Sequence, residues 1–198
     1  MRARSLALLT LLAAGAAHGG GSDVVNRAVH VCAACHGESA RNVSGTIPNI
    51  AGQMPLYLTA QLKDFRSQTR SESDPQAYMW GISALLDDAT ISGLAEYFAA
   101  EKPVAGKPGD PKLIEEGRRI YSQGLKGNDV RACAGCHGAK AEGASVFPRL
   151  AGQKADYIVA QMRVFGTRLR PHGILMKQEV AGMSNSEMRA VAEYLQSL

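Results

Sequence analysis

Two five-residue stretches, Cys32-Ala33-Ala34-Cys35-His36 and Cys133-Ala134-Gly135-Cys136-His137, write one pattern, CxxCH, twice at a spacing of 101 residues. The pattern is a c-type haem attachment signal. Two thiols three residues apart on a helical turn can each add to one vinyl group of a single haem, and the histidine after the second cysteine then faces the iron. On this reading Cys32, Cys35, Cys133 and Cys136 tether two haems, and His36 and His137 each supply one axial bond. A pair of CxxC units could instead provide four thiolates to zinc. That alternative leaves both histidines without a role and conflicts with the export signal described below. The chain has four cysteines in all. None remains for a structural disulfide, a nucleophile or a redox switch.

This feature constrains the fold directly. At 198 residues, with one motif in each half, the chain divides into two small domains. A domain of about eighty residues is too small to build a large core from side chains alone. A covalently held porphyrin supplies a wide apolar disc to pack against, which also accounts for an aromatic content of 6%. No segment shows sustained apolar and polar alternation, so strands are not expected and the fold class is all-α.

The chain starts Met1-Arg2-Ala3-Arg4, continues with an apolar run from Leu6 to Ala14, and reaches the small residues Ala14-Gly15-Ala16. A charged start, a short apolar run and a small-residue cleavage site are the marks of a secretory signal. Residues 1–19 are expected to be that signal, cleaved after about 16–19. The run is short of the roughly 20 residues a membrane-spanning helix needs, and no later segment comes closer. The mature chain is therefore expected in the periplasm, without a transmembrane span. Basic residues are dispersed rather than gathered in a run that could follow phosphates, which argues against nucleic acid as a partner.

An internal repeat joins the halves. Ile47-Pro48-Asn49-Ile50-Ala51-Gly52-Gln53 matches Phe147-Pro148-Arg149-Leu150-Ala151-Gly152-Gln153; Tyr57, Ala60, Gln61 and Phe65 match Tyr157, Ala160, Gln161 and Phe165; Ala95-Glu96-Tyr97 matches Ala192-Glu193-Tyr194. Each repeat reads as helix, haem loop, helix, loop, helix. Ser22 or Asp23 can cap a first helix bearing Val24, Ala28 and Val31, and Asp110 with Pro111 can start its counterpart through Ile114 and Ile120. Middle helices carry Leu58, Leu62 and Phe65, or Ile158, Met162 and Phe165. The last helices carry Ile91, Leu94, Ala95 and Phe98, or Met188, Val191, Ala192 and Leu195, with Ser184 and Glu187 forming a capping box. Residues 20–101 and 113–198 are the expected domains. Residues 102–112, rich in proline and glycine, are the linker.

The second axial position separates an electron carrier from a catalyst, since a carrier keeps it filled. Met79 lies 18 residues before Tyr97 and Met176 lies 18 before Tyr194, and these are the only methionines that the repeat matches. Both are read as falling in irregular stretches just before the last helix. Met54 is opposed by Lys154, Met162 and Met188 belong to apolar helix faces, and Met183 stands opposite Leu86. His30 is too close to Cys32 to reach across a ring, and His172 has no match in the first half.

Two CxxCH units in tandem, each followed by Pro-x-x-Ala-Gly-Gln, a methionine and Ala-Glu-Tyr, resemble the di-haem cytochrome c4 family over nearly the whole mature chain. The resemblance implies two class I cytochrome c domains related by a pseudo-twofold axis, with haem propionates approaching one another across the interface. It also implies that the carbonyls of Pro48 and Pro148 accept the other ring proton of His36 and His137. One departure is that Leu86-Asp87-Asp88 and Met183-Ser184-Asn185 stand where the family favours Leu-Ser-Asp, which touches helix starts only. The implied role is outer-sphere electron transfer with no catalytic residue. Donors and acceptors would be redox proteins: a quinol-oxidising complex or a dehydrogenase on one side, a terminal oxidase on the other, with at most peripheral contact with the membrane. A second role is the electron-accepting haem subunit of a dehydrogenase, such as a sulfide-oxidising flavocytochrome.

Overall fold

The computed structural model describes residues 20–37, 44–72 and 75–198; the expected signal, residues 1–19, lies outside them. The first repeat holds α1 (Gly20–His36), α2 (Pro55–Arg66), α3 (Pro75–Ala84) and α4 (Asp88–Ala100). The second holds α5 (Pro111–Gln123), α6 (Ala134–His137), α7 (Ala155–Phe165), α8 (Ile174–Ala181) and α9 (Asn185–Ser197). Among the described residues there are no strands, only isolated bridges between Leu125 and Val130 and between Ala144 and Phe147. The all-α expectation holds.

Helix starts follow local chemistry. The side chain of Asp110 accepts from the backbone N–H of Lys112 at 2.8 Å, with Pro111 in the first turn, where its missing N–H costs nothing. Ser184 and Glu187 close the expected capping box. In the first repeat Asp87 does the same work alone, accepting from Thr90 N–H at 2.7 Å.

In each repeat the last helix packs across the first. On α9, Met188, Val191, Ala192 and Leu195 are buried; on α4, Ile91, Leu94, Ala95 and Phe98 are, as their spacing predicts. The α5–α9 crossing is so close that a Cβ on Gly117 would lie 2.0 Å from the Ala190 carbonyl oxygen. On α1 the inward stripe differs from expectation. Val25, Ala28, Val29 and Cys32 face the core, whereas Val24 and Val31 are exposed. Both sets have helical spacing, and contact with α4 selects between them.

The haem motifs are placed differently in the two repeats. Cys32 to His36 end α1 itself, as read from sequence. In the second repeat α5 stops at Gln123, capped by Gly124 at φ 72°, and a tight loop closed by Leu125 and Val130 precedes α6. Gly124, in the left-handed region, turns the chain there.

Residues 102–110 run as an irregular strap along both repeats. Lys107 N–H donates to the Gln196 carbonyl at 2.9 Å. Gly52 and Gly152, the glycines of the two Ala-Gly-Gln turns, have φ of 67° and 74°, and an added Cβ would strike Pro103 and the Val104 carbonyl respectively.

The repeats meet across an interface that reproduces the twofold relation in hydrogen bonds. Gln53 Nε2 donates to the Arg149 carbonyl at 3.0 Å while Arg149 N–H donates to Gln53 Oε1 at 2.7 Å. Gln153 Nε2 donates to the Asn49 carbonyl at 2.8 Å while Asn49 N–H donates to Gln153 Oε1 at 3.0 Å. Each glutamine thus pairs with the opposite main chain as a strand residue would.

Below this lies a buried ionic cluster. Arg70 and Arg170 stack on Phe65 and Phe165 at 4.5 and 4.1 Å from the ring centroids, within cation–π range. Arg70 donates to Gln61 and Gln161 at 2.8 Å each, and Arg170 to the same two acceptors at 2.6 Å. Glu72 sits between the arginines, 2.9 Å from Arg70 Nε and 3.5 Å from Arg170 Nε. Tyr57 and Tyr157 complete the ring as partners of the opposite arginine. Burial opposes the charge on Arg70, but Tyr157, Tyr57 and Glu72 outweigh it and hold the guanidinium protonated.

Candidate haem sites

Each CxxCH histidine is oriented by the proline of its own repeat. His36 Nδ1 lies 2.9 Å from the Pro48 carbonyl oxygen, and His137 Nδ1 lies 3.0 Å from that of Pro148. A carbonyl can only accept, so Nδ1 carries the proton in both rings and Nε2 presents a lone pair. Burial lowers the pKa of each imidazole, opposed by the carbonyl bond; at His36 the Lys154 charge lowers it further. Both rings are neutral near pH 7. A neutral imidazole with Nδ1 committed and Nε2 free is the donor an axial iron bond requires.

The cysteines divide alike in the two motifs. Cys32 and Cys133 are half-buried and pack against the apolar cluster of their own repeat, while Cys35 and Cys136 are exposed. Before any haem is attached, burial pushes the Cys32 and Cys133 thiols up to about 11. Among the described residues no three His, Cys, Asp or Glu side chains gather as a metal ion would need. The two CxxC pairs stay in separate repeats.

Met79 and Met176 stand on short helices, α3 and α8, rather than in irregular stretches, which corrects the sequence expectation. α3 is apolar almost throughout, and in α8 the polar residues Lys177, Gln178 and Glu179 run together, so neither shows a periodic polar face that marks it as helical. Met176 packs on the same cluster as Cys133, and Val180, one turn on, is 3% exposed. Met79 is half-buried, and Ser83, one turn further along α3, is fully buried with its hydroxyl unpaired. Residues four apart share a helix face, so both methionines sit on the inward faces of their helices. Met162 and Met188 are core residues of the second repeat, and His172 is a surface residue bonded to Asp64 at 2.8 Å. The donor set in each repeat fits a covalently held haem: two thiols on one turn, an oriented neutral imidazole, and a thioether on an inward helix face.

The cytochrome c family profile matches this chain over residues 21–100 and again over 114–198. Cytochrome c4 of Azotobacter vinelandii is 32% identical over 202 residues, covering 96% of each chain. The chain belongs to the di-haem cytochrome c4 family. It therefore carries two covalently bound haem c groups and is an electron-transfer protein rather than an enzyme. The solved structure of cytochrome c4 from Acidithiobacillus ferrooxidans is 37% identical and superposes with a TM-score of 0.79, over 84% of this chain and 98% of that one. A protein of Thiomonas intermedia named as a thiosulfate dehydrogenase electron acceptor is 34% identical over 171 residues, covering 83% of this chain and 76% of its own.

Sequence reading missed the residues that join the sites. Gln53 and Gln153 belong to a motif whose repetition was evident, but nothing in it shows that both side chains cross to the other repeat. Arg70 and Arg170 carry a fainter signal: they share the offset of 100 residues that relates Gln61 to Gln161.

Proposed function

We propose that this di-haem cytochrome is a periplasmic carrier passing single electrons from a quinol-oxidising or dehydrogenase donor to a terminal oxidase or similar acceptor. His36 and Met79 would hold the iron of haem 1, tethered by Cys32 and Cys35; His137 and Met176 would hold that of haem 2, tethered by Cys133 and Cys136. Residues 20–101 and 113–198 form the two domains, 102–112 the linker, and 1–19 an export signal. The observation that carries the reading is the paired His–Pro hydrogen bond, which fixes both imidazoles in the ligating tautomer before any partner arrives. When bound, haem supplies a one-electron couple whose potential rises with methionine ligation and burial. The polypeptide keeps the imidazoles from rotating, excludes water from the inward faces of α3 and α8, and holds the repeats together through buried polar groups. Little then reorganises when the charge changes. Among the described residues no helix is long and apolar enough to cross a membrane.

A second reading is the electron-accepting partner of a dehydrogenase, supported by the name of the Thiomonas relative. Redox titration of the purified protein followed by optical and magnetic spectra tests the ligands: two low-spin haems with a sulfur-to-iron charge-transfer band are expected. A high-spin iron in the parent protein would overturn the assignment for that haem. Co-purification with a catalytic subunit from the native cell would favour the second reading over the first.

A further inference from the structure

The twofold relation between the haem sites is broken at two charged residues, Arg149 opposite Asn49 and Lys154 opposite Met54, and the second reaches across the interface. Lys154 follows the second Ala-Gly-Gln turn, and its repeat mate is Met54. The Lys154 side chain crosses the interface, where Nζ donates to the Ile47 carbonyl of the first repeat at 2.6 Å, with the residue 9% exposed. Ile47 precedes Pro48, whose carbonyl holds His36 Nδ1. The ammonium group therefore sits one peptide unit from the bond that orients the haem 1 imidazole.

The corresponding residue of the first repeat, Met54, has no charged group to offer the Phe147 and Pro148 carbonyls. Burial first, and Lys107 second, lower Lys154 itself to about 8. At neutral pH the group remains a cation.

We propose that Lys154 is a redox-tuning residue that the second repeat lends to the first: its buried ammonium raises the potential of haem 1, while its repeat mate Met54 carries no charge across to the second repeat. Oxidising an iron adds one positive charge to its site, and a cation fixed nearby in a medium of reduced dielectric disfavours that state. The charge reaches haem 1 only while the repeats are docked, so docking itself sets part of the difference between the two potentials. The inference rests on His36 as an axial ligand of haem 1.

The test is a potentiometric titration of the di-haem protein and of Lys154→Gln, Lys154→Met and Lys154→Arg, with the haems told apart by their methyl NMR resonances. Lys154→Gln keeps a donor for the Ile47 carbonyl but no charge; Lys154→Arg keeps both. Both neutral variants should favour ferric haem 1 by about tenfold, about 59 mV for a one-electron couple. Haem 2 should stay unmoved, and Lys154→Arg should match the parent. The proposal is overturned if both haems shift together, if neither shifts, or if Lys154→Met alone does, which would mark a structural contact. A parent haem 1 without low-spin histidine–methionine spectra would instead remove the ligand reading beneath it.

Discussion

Replacing Gln53 by leucine keeps side-chain volume while deleting both polar atoms. Three hydrogen bonds go with them: Nε2 to the Arg149 carbonyl at 3.0 Å, Arg149 N–H to Oε1 at 2.7 Å, and Met54 N–H to Oε1 at 2.9 Å. Gln53 is 6% exposed, so water enters poorly and the backbone groups of Arg149 lose partners in a largely dry interface. A buried backbone group left unpaired costs about 1–3 kcal/mol, which puts the variant about 2–4 kcal/mol below the parent. For a chain of this size that is a fall in Tm of about 5–15 °C. Denaturant and thermal unfolding of the haem-loaded protein, followed in the far ultraviolet and at the Soret band, would measure it. The loss should appear as weakened coupling between repeats, with unfolding separating into two steps. Gln153→Leu should cost a similar amount, and the double variant less than the sum, because both residues serve one interface. A Gln53→Leu protein within about 0.5 kcal/mol of the parent, the spread of ordinary surface substitutions, would refute the view that these glutamines clamp the repeats.

Met79→Ala or Met176→Ala should leave both haems covalently attached while converting one iron toward high spin, with about half of the charge-transfer band lost; an unchanged spectrum in either would remove that ligand assignment. Gly117→Ala should destabilise by about 1–3 kcal/mol despite alanine's better helix propensity, because its Cβ meets the Ala190 backbone carbonyl; equal or greater stability in denaturant titration would show that α5 and α9 can separate freely. Lys154 titrates at about 8 folded and near 10.5 unfolded, so between these values the unfolded chain binds a proton the folded one lacks. Parent stability measured against Lys154→Met should therefore rise as pH increases from about 8 to 10.5 and stay level below 8; a flat difference throughout would contradict the burial of this ammonium.

The haem chemistry was legible in the chain itself, because CxxCH is a local device. Two thiols and an imidazole must lie on one turn, and no distant residue can substitute for that spacing. The helices that bury a stripe were legible for the same reason, since α2, α4, α5, α7 and α9 show their inward faces at intervals of three and four residues. Segments without a periodic polar face were not: α3 has almost no polar residue and α8 has its three in one run, so both read as irregular, and contact with the core supplied what the pattern lacked. On α1 two stripes were available, and packing against α4 chose Val25 and Val29 over Val24 and Val31. Lys154, whose charge and position suggest a solvated side chain, is buried because the other repeat covers it. The interface lay furthest from the sequence. Gln53, Gln153, Arg70 and Arg170 bind groups far along the chain, up to 113 residues between Arg170 and Tyr57. The partners of the two glutamines are backbone carbonyls and amides, which every residue carries and no pattern of residue types reveals. Only docking decides which of those identical groups is left needing a partner.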